Sequence, residues 1–221
     1  MMKNLFFIIL TLLLLSSCNA KKEKNVEEEK IITALLPAII DSTCMDLRIY
    51  EFRPPVPKSI FSKDNKFIRF DSSNLSKDSI SYKKTIDSLD KDTSTLYIEF
   101  NPVLNDVDER CKNELYSHFK IKKEKQNSTS ESLRIPYENI KTKRKFKLQI
   151  SSKMPKINKE EGIFSEYGSS FSGSLSMSRI YFDKERKFGV LTVDYFCGTR
   201  CGQGFTIFIR KLNNLWIIDE I

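Results

Sequence analysis

Residues 178–221 read SRIYFDKERKFGVLTVDYFCGTRCGQGFTIFIRKLNNLWIIDEI, and this stretch decides the fold. Its runs 180–182, 188–196, 205–211 and 215–221 are rich in β-branched and aromatic side chains, which suit a pleated, half-buried surface. Between them stand DKERK, CGTRCGQG and the pair Asn213-Asn214, all turn-forming in composition. Links this short join neighbouring strands that run in opposite directions, so the chain is expected to end in an antiparallel β-meander.

Working upstream, Leu175 and Met177 alternate with serines, which predicts one more strand entering the same sheet. Residues 146–150, 95–100, 67–70 and 48–52 are also strand-like. Ile31, Ile32, Leu35, Leu36, Ile39 and Ile40 recur every three to four residues, predicting an amphipathic helix over 27–40 that Pro37 bends or ends. Tyr82, Thr85, Ile86 and Leu89 share one face of a second helix over 79–92. A third, over 106–120, carries Val107, Cys111 and Leu115, with Asn105 or Asp106 as its cap. Pro54, Pro55 and Pro57 stiffen an extended connection, and the Lys-rich stretch 120–132 reads as a surface loop. The class expected is α+β: a single domain over residues 31–221, with N-terminal helices and a C-terminal antiparallel β-meander.

The chain has 221 residues, 40% hydrophobic and 30% charged, which suits a core-forming domain and excludes a multi-span membrane protein. Thirty-seven basic against twenty-nine acidic side chains give a net +8, which raises nucleic acid as a partner. The basic set is 27 Lys and only 10 Arg, however, and neither a recognition helix nor a cysteine-histidine finger accompanies it. The excess lysine is read as solvated surface, and no nucleic-acid partner is expected.

At the amino terminus Lys3 precedes an unbroken apolar run over 5–15. As a helix these residues reach roughly 16 Å, about half of a bilayer core, so the run reads as a signal-peptide core rather than a permanent span. Next comes Leu15-Ser16-Ser17-Cys18, which resembles the lipobox of bacterial lipoproteins. The resemblance implies cleavage of residues 1–17, a diacylglycerol thioether on Cys18 and acylation of its new amino group, an anchor far stronger than one fatty chain. Asn19 and Ala20 follow, without the aspartate that retains the best-known lipoproteins in the inner membrane. The expected address is therefore the cell envelope, on the outer membrane through the N-terminal lipid. Residues 18–30, with charge dominating NAKKEKNVEEEK, are expected to be a flexible tether.

With Cys18 lipidated, Cys44, Cys111, Cys197 and Cys201 remain, an even number for an oxidising compartment. Three pairings are open, as are free thiols; Cys197 with Cys201 across the hairpin connection and Cys44 with Cys111 is the arrangement favoured. Gly198, Gly202 and Gly204 sit in the same connection, where glycines permit either a tight turn or one that hugs a ligand. The Cys-Gly-Thr-Arg-Cys-Gly-Gln-Gly segment and the Trp216-bearing last strand resemble the tail of uncharacterised bacterial lipoproteins ending in a C-G-x-x-C-G-x-G turn. That resemblance covers about a quarter of the chain and implies no activity; the ending is also similar at fold level to cystatin-like and NTF2-like sheets.

No catalytic residue, metal site or cofactor is read from the chain. His118 is the single histidine and falls on an apolar helical stripe, a packing position rather than a general base. Asp106, Asp108 and Glu109 read as first-turn acids that complement a helix dipole. Asp78-Ser79 and Asp87-Ser88 resemble an O-glycosylation acceptor, whereas Asn127-Ser-Thr reads as plain loop. The function expected is a membrane-anchored binding or interaction module with an envelope protein or glycan partner. The alternatives are an envelope hydrolase using carboxylates and a structural or immunity lipoprotein.

Overall fold

The computed structural model describes residues 2–123, 132–142, 145–153, 170–198 and 201–221, with side chains from Glu23 onward except at residues 50 and 51. The first helix, α1, is Met2–Thr43, and its buried stripe is the one the spacing predicts: Ile31, Ile32, Leu35, Leu36, Ile39 and Ile40. Pro37 neither ends it nor falls on that stripe; it lies on the half-exposed side. An internal proline costs a helix about 3 kcal/mol, while burying an Ile stabilises by roughly 1.5–3 kcal/mol. Ile39 and Ile40, both fully buried beyond the proline, therefore carry the helix on to Thr43.

The span 18–30, expected as a flexible tether, also lies within this helix, and its last part is docked. Glu28 is buried and accepts hydrogen bonds from Arg179 and from the Ile180 N–H. Local composition predicts solvent for such a charged run; a partner 151 residues away overrides it.

Residues 48–52 are not a strand. Leu47–Glu51 is a 3-10 turn opened by Asp46, whose carboxylate accepts the Arg48 N–H. A hairpin follows, β1 (Lys58–Phe61) and β2 (Phe67–Asp71), then helix α2 (Leu75–Lys91) and strand β3 (Leu96–Phe100). A short pair, β4 (Val103–Leu104) with β5 (Leu133–Arg134), brackets helix α3 (Glu109–His118). The cap of α3 is Asp108, which accepts the Cys111 N–H at 2.8 Å; Asp106 receives the Lys112 ammonium at 3.1 Å instead.

Strands β6 (Phe146–Gln149), β7 (Phe171–Met177), β8 (Tyr181–Phe182), β9 (Phe188–Gly198), β10 (Cys201–Leu212) and β11 (Leu215–Glu220) follow among the described residues. The main sheet runs β11-β10-β9-β7-β3-β6, with β8 paired to β9. Its C-terminal part is the predicted antiparallel meander, and β3 adds two parallel pairings, to β7 and to β6. The fold is thus α+β. Asn213 and Asn214 both have positive φ, 50° and 65°, the backbone that a two-residue hairpin turn requires and that Asn tolerates.

Alternation along the strands divides two cores. The inner face buries Leu96, Ile98, Phe100, Leu175, Val193, Tyr195 and Ile207 in one cluster with the α1 stripe. The outer face is covered in part by α3, whose Cys111 and Leu115, with Val107 just before its cap, pack with Val190, Phe188 and Phe208. At β7 the register slips between Tyr97 and Glu99, and Gly173 takes up the slip with φ 94°. A Cβ there would lie 2.5 Å from the Phe196 carbonyl oxygen and 2.8 Å from the Tyr195 ring, so only glycine fits.

Candidate interaction surface

No residue between 52 and 91 is buried, although this span holds a hairpin and a helix. In β1–β2 a bulge between Ile60 and Phe61 shifts the register, and the rings of Phe61, Phe67 and Phe70 gather, with centroids 6.1 and 5.0 Å apart. They remain 56%, 52% and 63% exposed, and Val56, Ile68 and Ile80 of the same span are exposed too. Three rings held together in water are an apolar patch without a partner among the described residues, and contiguous patches of this kind mark binding surfaces. Around them stand Lys58, Lys63, Lys66 and Arg69, all exposed, against Asp64 and Asp71.

Local chemistry builds the hairpin. Asn65 sits at φ 57°, the Asn65 N–H donates to the Ser62 carbonyl at 3.0 Å, and the Ser62 N–H donates to the Lys66 carbonyl at 2.8 Å. The sequence signal was present in Ser62-Lys63-Asp64-Asn65 between two apolar pairs, but β1 itself went unpredicted. Helix α2 shows the predicted apolar periodicity, yet Tyr82, Thr85, Ile86 and Leu89 are only half-buried, because little of the molecule packs against them.

An ionic clamp fastens both roots of this arm. The Arg48 guanidinium donates to Asp46 through Nε (2.9 Å) and Nη2 (2.6 Å), to Ser94 Oγ at 3.1 Å and to Asp92. Lys145 Nζ donates to the carbonyls of Leu89 (2.7 Å) and Asp92 (2.9 Å) and lies 3.3 Å from Asp46. Burial pushes the Asp46 carboxyl up, but hydrogen bonds from Arg48 outweigh it and leave it below the usual range. Hydrogen bonds from Ser94, then from Arg48, hold Asp92 well below that range. Both acids adjoin a pocket of about 640 Å³ lined also by Met45, Ile49 and Phe146. They are charge-compensated anions there, the opposite of a carboxyl kept protonated for general acid work.

The clamp also locates the arm. Tyr195 Oη donates to the Ser172 carbonyl at 2.7 Å, with the Met45 carbonyl at 3.4 Å, so the end of α1 meets the start of β7. Asn25 and Glu28 meet Arg179, beyond the other end of β7. Helix α1 therefore runs the length of the sheet, about 25 Å by helical rise, antiparallel to β7. The arm roots lie at one end of the sheet, and the amino-terminal part of α1 leaves from the other.

The residues singled out in the sequence divide as follows. Cys197 and Cys201 form a disulfide across the β9–β10 hairpin, with Gly198 paired to Cys201. Cys44 and Cys111 are not joined: both are buried thiols, Cys44 in the inner cluster and Cys111 in the outer, with the sheet between them. Cys111 Sγ lies 3.9 Å from Thr206 Oγ1, and burial pushes its thiol pKa up. Gly202 and Gly204 are not turn residues but strand residues of β10, opposite Phe196 and Asp194. Gly202 leaves room for the Phe196 ring, whose Cδ1 would stand 3.1 Å from a Cβ at that position.

Gly198 closes β9 at φ 142°, and residues 199–200, which join it to Cys201, lie outside the described set. The Cys18 side chain and the Asn127 acceptor lie outside it too. His118 stacks on Phe208, centroids 3.9 Å apart, and pairs with Asp219 at 2.9 Å, a packing role at the end of α3. Ser79 and Ser88 are exposed on α2, where their hydroxyls donate to the carbonyls of Leu75 and Thr85. Among the described residues no His, Cys, Asp and Glu group has metal-holding geometry, and no helix is long and apolar enough to cross a membrane.

Comparison with known proteins gives no match to any family model, curated protein or solved structure.

Proposed function

We propose that this chain is a lipid-anchored protein of the bacterial cell envelope, moored through Cys18, whose arm, residues 52–91, docks onto a partner protein. The observation that carries the docking role is the cluster of Phe61, Phe67 and Phe70, exposed together on a hairpin with basic flanks. The partner fitted by that chemistry has an apolar groove with an acidic rim, because Lys58, Lys63, Lys66 and Arg69 outnumber the acids beside the rings. The anchor supports the same reading: a lipid on Cys18 would hold one end of α1 at the bilayer, and the arm is rooted at the opposite end of the sheet. Outer-membrane sorting rests on the lipobox and on the residues after Cys18 alone.

The test is photo-crosslinking in intact cells with p-benzoylphenylalanine at position 70. A discrete adduct with one envelope polypeptide is expected, lost when Phe61 and Phe67 are changed to Ser and absent when the probe replaces Leu215. An adduct pattern no different between positions 70 and 215 would reject the docking role. Membrane attachment is read separately, by fractionating Cys18→Ala.

A further inference from the structure

The outer face of the sheet carries a second surface, beyond the reach of α3. Glu99, Ser174 and Phe196 are register partners on three neighbouring strands, β3, β7 and β9, and stand in a row on that face. Ser176, Asn101 and Arg134 join them in a groove of about 550 Å³, within the size range of small-ligand pockets. Phe196 is 55% exposed although it is a large apolar side chain, with one side set against Gly202 and the rest open to the groove. Among the described residues Glu99, Ser174 and Ser176 have no side-chain hydrogen-bond partner.

The floor excludes one mode of recognition. β3, β7 and β9 are interior strands with neighbours on both sides, so an extended peptide cannot add to the sheet there. Recognition has to pass through side chains: a ring face, hydroxyls, a carboxylate, an amide and a guanidinium, with the two charges of opposite sign. A pyranose has that complementary character, with C–H groups on one face for an aromatic ring and hydroxyls around its edge for the polar groups. We infer that the groove lined by Phe196, Glu99, Asn101, Arg134, Ser174 and Ser176 is a glycan-binding site for a short chain of uncharged pyranoses. Phe196 stacks on the sugar face, while Glu99 and the serines take its hydroxyls. No bond is made or broken there.

Titration calorimetry of the purified full chain, in a detergent without a sugar headgroup, tests this with N,N′,N″-triacetylchitotriose and maltotriose as probes. Saturable binding of at least one probe is expected. Phe196→Ala should weaken it at least about tenfold, Phe196→Trp should retain it, and Glu99→Gln should weaken it by a similar factor. Because Phe196 and Glu99 lie outside the buried core, all three variants should melt with the parent chain. No heat with either probe, or binding unchanged in Phe196→Ala, would overturn the proposal. The experiment involves neither Cys18 nor the arm, so its outcome is separate from that of the crosslinking.

Discussion

Arg179 and Glu28 form a buried forked ion pair: Nη2 lies 2.6 Å from Oε2 and Nε 3.3 Å from Oε1, with the side chains 7% and 5% exposed. The pair fastens α1 to the loop between β7 and β8, reinforced by the Ile180 N–H on Oε1 at 2.9 Å. Removing one partner leaves the other charged and buried. Arg179→Met should therefore cost about 3–5 kcal/mol in urea unfolding. Glu28→Gln keeps an acceptor for the Ile180 N–H and should cost less. Equal losses in the two variants would mean that charge pairing is not what matters at this joint.

Two glycines of the main sheet predict opposite tolerance. Gly173→Ala places a methyl 2.5 Å from a carbonyl oxygen at φ 94°, so it should destabilise by at least about 2 kcal/mol. Gly204→Ala meets only the Asp194 carboxylate at 3.3 Å, and should stay within about 1 kcal/mol of the parent. Thermal melts of the two variants check this.

The clamp should respond to acid. Asp46 and Asp92 have folded pKa values below the unfolded value of about 3.9, so their contribution is complete above that pH and lost as pH falls below it. Hydrogen exchange of residues 75–91 should therefore accelerate, relative to the β9–β10 core, as pH falls below about 4. In Asp92→Asn the relative exchange should already be faster at neutral pH, and its acid response smaller. A flat ratio in the parent chain would show that the arm is held by something else.

Disulfide mapping under non-reducing conditions should recover Cys197 with Cys201 and leave Cys44 and Cys111 as thiols. The ring is small, so Cys197→Ser with Cys201→Ser should cost only about 2 kcal/mol on a chain-entropy estimate, and the hairpin should persist. A Cys44–Cys111 peptide in the map would contradict the separation of the two cores.

What could be read from the residues alone was local. The meander, the Asn213-Asn214 turn and the buried face of α1 follow from periodicity and turn chemistry that act within a few residues. What could not be read depends on distant partners. The charged run around Glu28 looks solvated until Arg179 is placed beside it, and 48–52 looks like a strand until Arg48 is drawn into its clamp. The stripe of α2 has the periodicity of a core helix, but periodicity does not say whether anything covers it. The groove on the outer face was illegible for the same reason: Glu99, Ser174 and Phe196 become neighbours only through a parallel β3–β7 pairing that no short turn announces.

The most direct test of the account is the intact mass of the protein purified from its native membrane, followed by mass spectrometry of its amino-terminal peptide. The predicted result is a chain beginning at Cys18, heavier by a thioether-linked diacylglycerol and an amide-linked acyl group. A chain that retains residues 1–17, or one whose Cys18 sulfur is unmodified, would contradict it.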